Sequence, residues 1–398
     1  MLRRIALVLL CLAMLSGCWS RRELNDLLIV LGIAVDWQDG KYLVSYQVVN
    51  PNEIATKSNS TYRAPGILYQ EAGNTLFEAS RALTTRAPRL LYYGHLQLFV
   101  VSEEIARRGL SGVVDSTLRN NEARMDYNVV VARGVNAEDI LKLYTPLEKL
   151  PTYSMQQSLQ RSEKEWAPSV AVNMDKMLHL IKSDGQQLVL TGIVIKGDRK
   201  KADKRTNLDG FDPAAYYQYR GLGAFKGDRL IGWLNQKESK GYSDLTDIMG
   251  STSLELPCED KHYTGIEITA SKTKIVPKLK DGKLSYKIKL ITTGDVVENS
   301  CNSVNLVDPS VFPKLEQKAT EIIKENAEAA MKWAQDNHTD IVGLGIWTKR
   351  KYPKHWKGIT EQWDDVGFPA AEVSYEVKMK INTTGTIGNS ISPDQKGG

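Results

Sequence analysis

The sequence predicts an α+β fold of three mixed domains, each a largely antiparallel sheet flanked by helices. Three observations carry that expectation. Val373, Tyr375, Val377, Met379 and Ile381 alternate with Ser374, Glu376, Lys378 and Lys380, the period of a half-buried strand. Over Phe312–Asn337 the period lengthens, and Leu315, Ala319, Ile322, Ile323, Ala330, Met331 and Ala334 fall on one helical face. Strands and helices also succeed each other without a strict strand–helix–strand rhythm, and Asp39-Gly40 and Asp281-Gly282 have hairpin-turn chemistry.

The chain opens with a positive segment, Met1-Leu2-Arg3-Arg4, followed by an unbroken apolar run, Ile5–Met14. That run is about 10 residues, half the roughly 20 that a spanning helix needs. Leu15-Ser16-Gly17-Cys18 closes it with small residues before a cysteine. The order is that of a secretory signal ending in a lipobox, so residues 1–17 are expected to be a lipoprotein signal peptide. Cys18 is then the lipidation site and the new N-terminus. The plainer alternative is an apolar run that happens to end in cysteine.

Leu27–Val35 reads as a strand, paired through Asp39-Gly40 with the alternating Tyr42, Val44, Tyr46 and Val48. Pro51–Ala64 is polar and reads as an exposed loop. Leu76, Phe77, Ser80, Leu83 and Thr84 recur at helical spacing, stopped before Pro88. His95–Val101 is a strand, and Ser102 with Glu103-Glu104 starts a helix. Asp126–Ala132 is a strand, and helices are expected at Ala137–Tyr144, Tyr153–Glu163 and Asn173–Ser183. Leu188–Ile195 is a strand, and the basic Lys196–Arg205 is a solvated loop rather than an anion site. Leu222–Phe225 and Leu230–Leu234 flank a turn at Lys226-Gly227-Asp228-Arg229, and a helix follows over Asn235–Ile248. A strand runs from Ile266 and Ile268 towards Ile275, and Asp281-Gly282 returns it through Leu284, Tyr286, Ile288 and Leu290. The expected divisions are 18–190, 191–262 and 263–388, with a flexible tail over 389–398.

Composition is that of an ordinary globular protein, 42% hydrophobic and 25% charged. The formal charge of +5 falls to about +3 without Arg3 and Arg4, too small a balance to argue for nucleic acid. Of the four cysteines, Cys11 leaves with the signal and Cys18 takes lipid. Cys258 and Cys301 remain, as a disulfide or as two free buried thiols. A bond between them would close a loop of about 43 residues, worth about 4 kcal/mol in the chain-entropy account.

Signatures of enzymes are missing. The sequence holds no GxSxG, HExxH, Walker loop or CxxC. His95, His179, His262, His338 and His355 are scattered, so no metal or other cofactor is expected. Gly221-Leu222-Gly223 resembles the start of a dinucleotide fingerprint but leads into a hairpin. Glu103/Glu104 and Asp364/Asp365 are adjacent in sequence and so point apart, whereas glycosidase chemistry needs two carboxylates facing one cleft. Trp347, Trp356 and Trp363 interleave with Lys349, Arg350, Lys351, Lys354 and Lys357. They form either a lipid or partner contact or a twisted loop whose tryptophans pack on the long helix.

Several segments together resemble the Ger(x)C family, the C-subunit lipoproteins of spore germinant receptors. Cys18-Trp19-Ser20-Arg21-Arg22-Glu23-Leu24 looks like the family's mature start, with Ser20 where an Asp is expected. Tyr92-Tyr93-Gly94-His95-Leu96-Gln97, Leu118-Arg119 and Glu122-Ala123-Arg124 extend the likeness. It is strongest over Phe225-Lys226-Gly227-Asp228-Arg229-Leu230-Ile231-Gly232-Trp233-Leu234, followed by Glu238 and Gly241. Ser271-Lys272-Thr273-Lys274 and Lys349-Arg350-Lys351 with Pro353, Lys354 and Trp356 fit as well. The resemblance implies a non-catalytic subunit, lipid-anchored through Cys18 on the outer face of the spore inner membrane. Its partners would be the membrane-embedded A and B subunits of the same receptor. It brings no catalytic residues. A solute-binding lipoprotein of a transporter would share the anchor but should show two doubly wound lobes, and a cell-wall hydrolase would need an acid pair or zinc site.

Overall fold

The computed structural model describes residues 1, 3–4, 26–50, 64–119, 124–258 and 261–384. Most of the signal 1–17, Cys18, nearly all of the loop 51–64 and the tail 389–398 lie outside the described residues.

Thirteen strands form two sheets among the described residues. The first sheet opens with the hairpin β1 (Leu27–Gln38) and β2 (Lys41–Val49) and adds β3 (Gly66–Gly73) at its edge. Helix α1 (Leu76–Ala82), capped by Thr75, leads to β4 (Leu90–Tyr92) and β5 (Leu98–Ser102). Helices α2 (Glu103–Arg108) and α3 (Ser111–Leu118) precede β6 (Asn128–Ala132). Then come α4 (Ala137–Lys142), α5 (Pro151–Glu165), α6 (Met174–Ile181) and β7 (Val189–Gly197). Strands β8 (Ala215–Lys226) and β9 (Arg229–Leu234) finish the sheet.

The strand order is β3-β2-β1-β5-β6-β7-β8-β9, with β4 also paired to β1. Both flanks are antiparallel hairpins, whereas β1, β5, β6 and β7 pair in parallel through the middle. The reason lies in the apolar runs Leu98-Phe99-Val100-Val101 and Val129-Val130-Val131-Ala132. Every residue of β5 and β6 is buried, which requires cover on both faces and suits central parallel strands. Strand β7 crosses position 190 and β8 and β9 extend it, so segments 18–190 and 191–262 share one sheet.

The second sheet has the order β10-β11-β12-β13: β10 (Thr252–Pro257), β11 (Tyr263–Lys280), β12 (Lys283–Asn299) and β13 (Glu372–Ile381). One face is covered by α7 (Gln236–Leu245) and the long α8 (Val311–Asp336), whose apolar stripe from Leu315 to Ala334 is buried. The Trp-rich segment is helical rather than a twisted loop: α9 (Leu344–Lys351) and α10 (Pro353–Ile359), the latter begun by a proline at its first turn. A single hydrophobic core links both sheets, with a smaller cluster on the other side of the first.

Candidate functional site

The residues with catalytic potential are dispersed and already engaged. Glu103 pairs with Arg107 and Glu104 with Arg108, each within α2. Burial pushes the Asp364 carboxyl up, and it accepts from Gln187 and the Asp340 backbone, while Asp365 pairs with Lys226. His338 Nδ1 lies 3.1 Å from the Asp365 carbonyl, and His179 sits beside Asp175 on α6. Among the described residues no three His, Cys, Asp or Glu gather as a metal would need. Gly221 has φ +78 and Gly223 pairs across to Trp233, so this stretch is sheet and not a phosphate loop.

What the structure does bring together is the junction between the sheets, and its centre is the hairpin 225–234. Asp228 accepts from the backbone N–H and hydroxyl of Ser111, seating the turn on α3. The Gly227 N–H donates to Gln187, and the Phe225 carbonyl accepts from Thr339 after α8. Lys226 reaches Asp365. The Trp233 indole donates to Glu103 while Arg133 stacks 4.5 Å over its ring. Gly232 makes room for Trp333 of α8. Each side chain therefore ties a different neighbour to one turn.

Across from it stands Asp340, fully buried. It accepts from the backbone of Gly343, Leu344 and Gly345 at the start of α9, and from the Trp363 indole at 2.9 Å. Burial pushes its carboxyl up to about 6, and the four donors pull the other way. Trp363 packs on Trp356 and Phe368, both buried, and Trp347 is half-buried under Arg350. Two of the three tryptophans are thus core. Lys349 meets Asp184, and Lys351 donates to the Pro277 carbonyl of β11.

A cavity of about 870 Å³ lies between the β1–β2 face and helices α1 and α3. Val44, Leu83, Leu91 and Phe99 line it, with the hydroxyls of Ser80 and Tyr93 bonded at 3.0 Å on its wall. Arg81, Arg89, Asp115, Ser116 and Arg119 complete a lining that is otherwise largely apolar.

Two family models match end to end along this frame: the spore germination protein N-terminal domain over residues 20–195, and the spore germination B3/GerAC-like C-terminal domain over 220–385. Spore germination protein KC of Bacillus subtilis (strain 168) is 30% identical across 97% of this chain and 96% of its own length. The chain belongs to the Ger(x)C family. Spore germination proteins YndF and B3 of the same organism are 25% and 23% identical, also nearly full length. The crystal structure of the GerBC protein shares the fold, with a TM-score of 0.52 at 21% identity, covering 88% of this chain and 96% of that one.

The Ger(x)C resemblance read from the hairpin 225–234 thus marks the residues that join the two sheets. Glu238 closes a capping box with Asn235, and Gly241 lets α7 touch α8. Ser271 donates to the buried Asp244, and Thr273 bonds both the Asp244 carbonyl and Asp247. Cys258 and Cys301 are bonded, their Cα atoms 6.1 Å apart, tying the end of β10 to the loop after β12. Sequence reasoning missed Asp340, Asp244 and Gln187. Asp340-Ile341-Val342-Gly343 ahead of a helix is the one local signal, a capping aspartate before a glycine.

Proposed function

We propose that this chain is the lipid-anchored subunit of a nutrient germinant receptor in endospores, held on the outer face of the spore inner membrane through Cys18. It supports assembly with the receptor's membrane-embedded A and B subunits and the germination response that follows, and it performs no catalysis. The observation that carries this reading is the end-to-end match to spore germination protein KC. The buried junction supports a role by shape and docking, because its carboxylates are occupied as structural acceptors. No helix among the described residues is long and apolar enough to cross a membrane. This reading gives the tether to the lipobox, and a tether raises the local concentration of the chain beside membrane partners.

Spores carrying Cys18→Ala test the proposal, scored nutrient by nutrient with the membrane fraction followed by blotting. The expected outcome is loss of the protein from the membrane together with loss of response to one nutrient class. Release from the membrane with normal germination to every nutrient, repeated in a full deletion, would rule the reading out.

A further inference from the structure

The second sheet has one open face. Ile275, Tyr286, Ile288 and Leu290 point inward and are buried, so the alternate residues of β11 and β12 point to solvent. On β11 these include Lys272, Lys274, Lys278 and Lys280. The register sets Lys274 opposite Lys289, Val276 opposite Lys287, and Lys280 opposite Lys283. On the other side of β12, β13 adds Lys378 beside Ile291 and Lys380 beside Thr293. Ile291, 57% exposed, sits in the middle.

The counter-charge is small. Glu376 receives Lys287, Lys289 and Lys378, the first two holding its carboxyl down at about 2; Glu372 stands opposite Ser285, and Lys272 lies 3.6 Å from Asp247. Lys274, Lys278, Lys280, Lys283 and Lys380 make no ion pair among the described residues. Like charges set opposite each other in a sheet destabilise it, and a face built only for solubility mixes its signs. Lysine predominates on the half of the face nearest the Asp281-Gly282 turn, while Glu255, Glu267 and Asp295 gather towards its other end, in a chain whose net charge is only +5.

We propose that the open face of the second sheet is a membrane-contact surface for anionic phospholipid headgroups. Three adjacent strands, β11, β12 and β13, make it broad. Its outward positions between Lys272 and Lys280, across Lys283–Thr293 and across Ser374–Lys380 hold no arginine or aromatic side chain, Tyr286 and Tyr375 lying on the other face. Protein interfaces are rich in those residues and poor in lysine. Nucleic-acid surfaces likewise use arginine forks and stacking rings. Lysine arrays serve the diffuse negative potential of lipid headgroups, each worth about fivefold in affinity. The inference is independent of Cys18.

The test is co-sedimentation of the chain from Trp19 to Gly398, which keeps every described strand of both sheets but lacks the apolar leader. Vesicles are phosphatidylcholine alone or mixed with phosphatidylglycerol, at low and physiological salt. Binding is expected only with phosphatidylglycerol, weakening as salt rises. The variant K274Q/K278Q/K280Q/K380Q should bind at least tenfold more weakly with an unchanged melting temperature. The variant K196Q/K200Q/K201Q/K204Q, which removes equal charge from the end of β7 and the exposed loop after it, should bind as the parent does. Equal loss in both variants, binding without phosphatidylglycerol, or no vesicle binding would overturn the proposal. Capture by polyglutamate with no vesicle binding would assign the face to an acidic protein instead.

Discussion

At the residue scale, the sharpest constraint is Gly241. A Cβ there would lie 1.9 Å from the Asn326 carbonyl oxygen of α8, a backbone atom that cannot swing aside. Gly241→Ala must push the two helices apart, and it is expected to cost at least about 2 kcal/mol by denaturant unfolding. The sequence shows only a glycine inside a helix, which by itself reads as a weak helix position. Its reason sits on a helix far along the chain, so no local pattern could supply it. The same holds for Asp340 and Lys226, whose partners Trp363 and Asp365 come from another turn.

Elements divide by how much of their pattern is local. Helix α8 was legible almost to the residue because its apolar stripe, Leu315 to Ala334, runs about five turns. Strands β11 to β13 were legible because one face is wet, which produces clean alternation. Strand β3, an edge strand of mostly half-buried residues, carries little contrast to read, and α3 was not anticipated either. Helices α9 and α10 are short and charge-rich, and only Pro353 signals a start. Helix α7 was expected over Asn235–Ile248, and the structure starts it with a capping box of Asn235 and Glu238, the Asn235 side chain accepting from the Glu238 N–H at 3.0 Å. Asn235→Ala removes that acceptor, and a loss of about 1 kcal/mol is expected in thermal unfolding.

For the whole molecule, the buried carboxylates set the response to pH. Burial raises Asp36 to about 6, Asp340 to about 6 and Asp244 to about 7. These groups bind protons more tightly folded than unfolded, so their contribution is full below about 4 and is lost as pH rises through 6 to 7. Glu376, held at about 2 by its lysines, works the other way and weakens the fold only as pH falls below its unfolded value of 4.5. The melting temperature is therefore expected to peak near pH 4 and to fall towards pH 8, with Asp244→Asn flattening that slope. Such a balance was not legible in the sequence, which shows how many aspartates there are but not which are enclosed. The continuity of the first sheet across position 190 has a consequence of another kind. Strands β7 and β8 are held to each other along their length, while the exposed segment 198–214 between them holds only turns and a short 3₁₀ stretch. Connectivity and cohesion are thus separate properties here: a chain cut in that segment remains one particle, its two pieces kept together as pages are by a binding rather than as beads are by a thread.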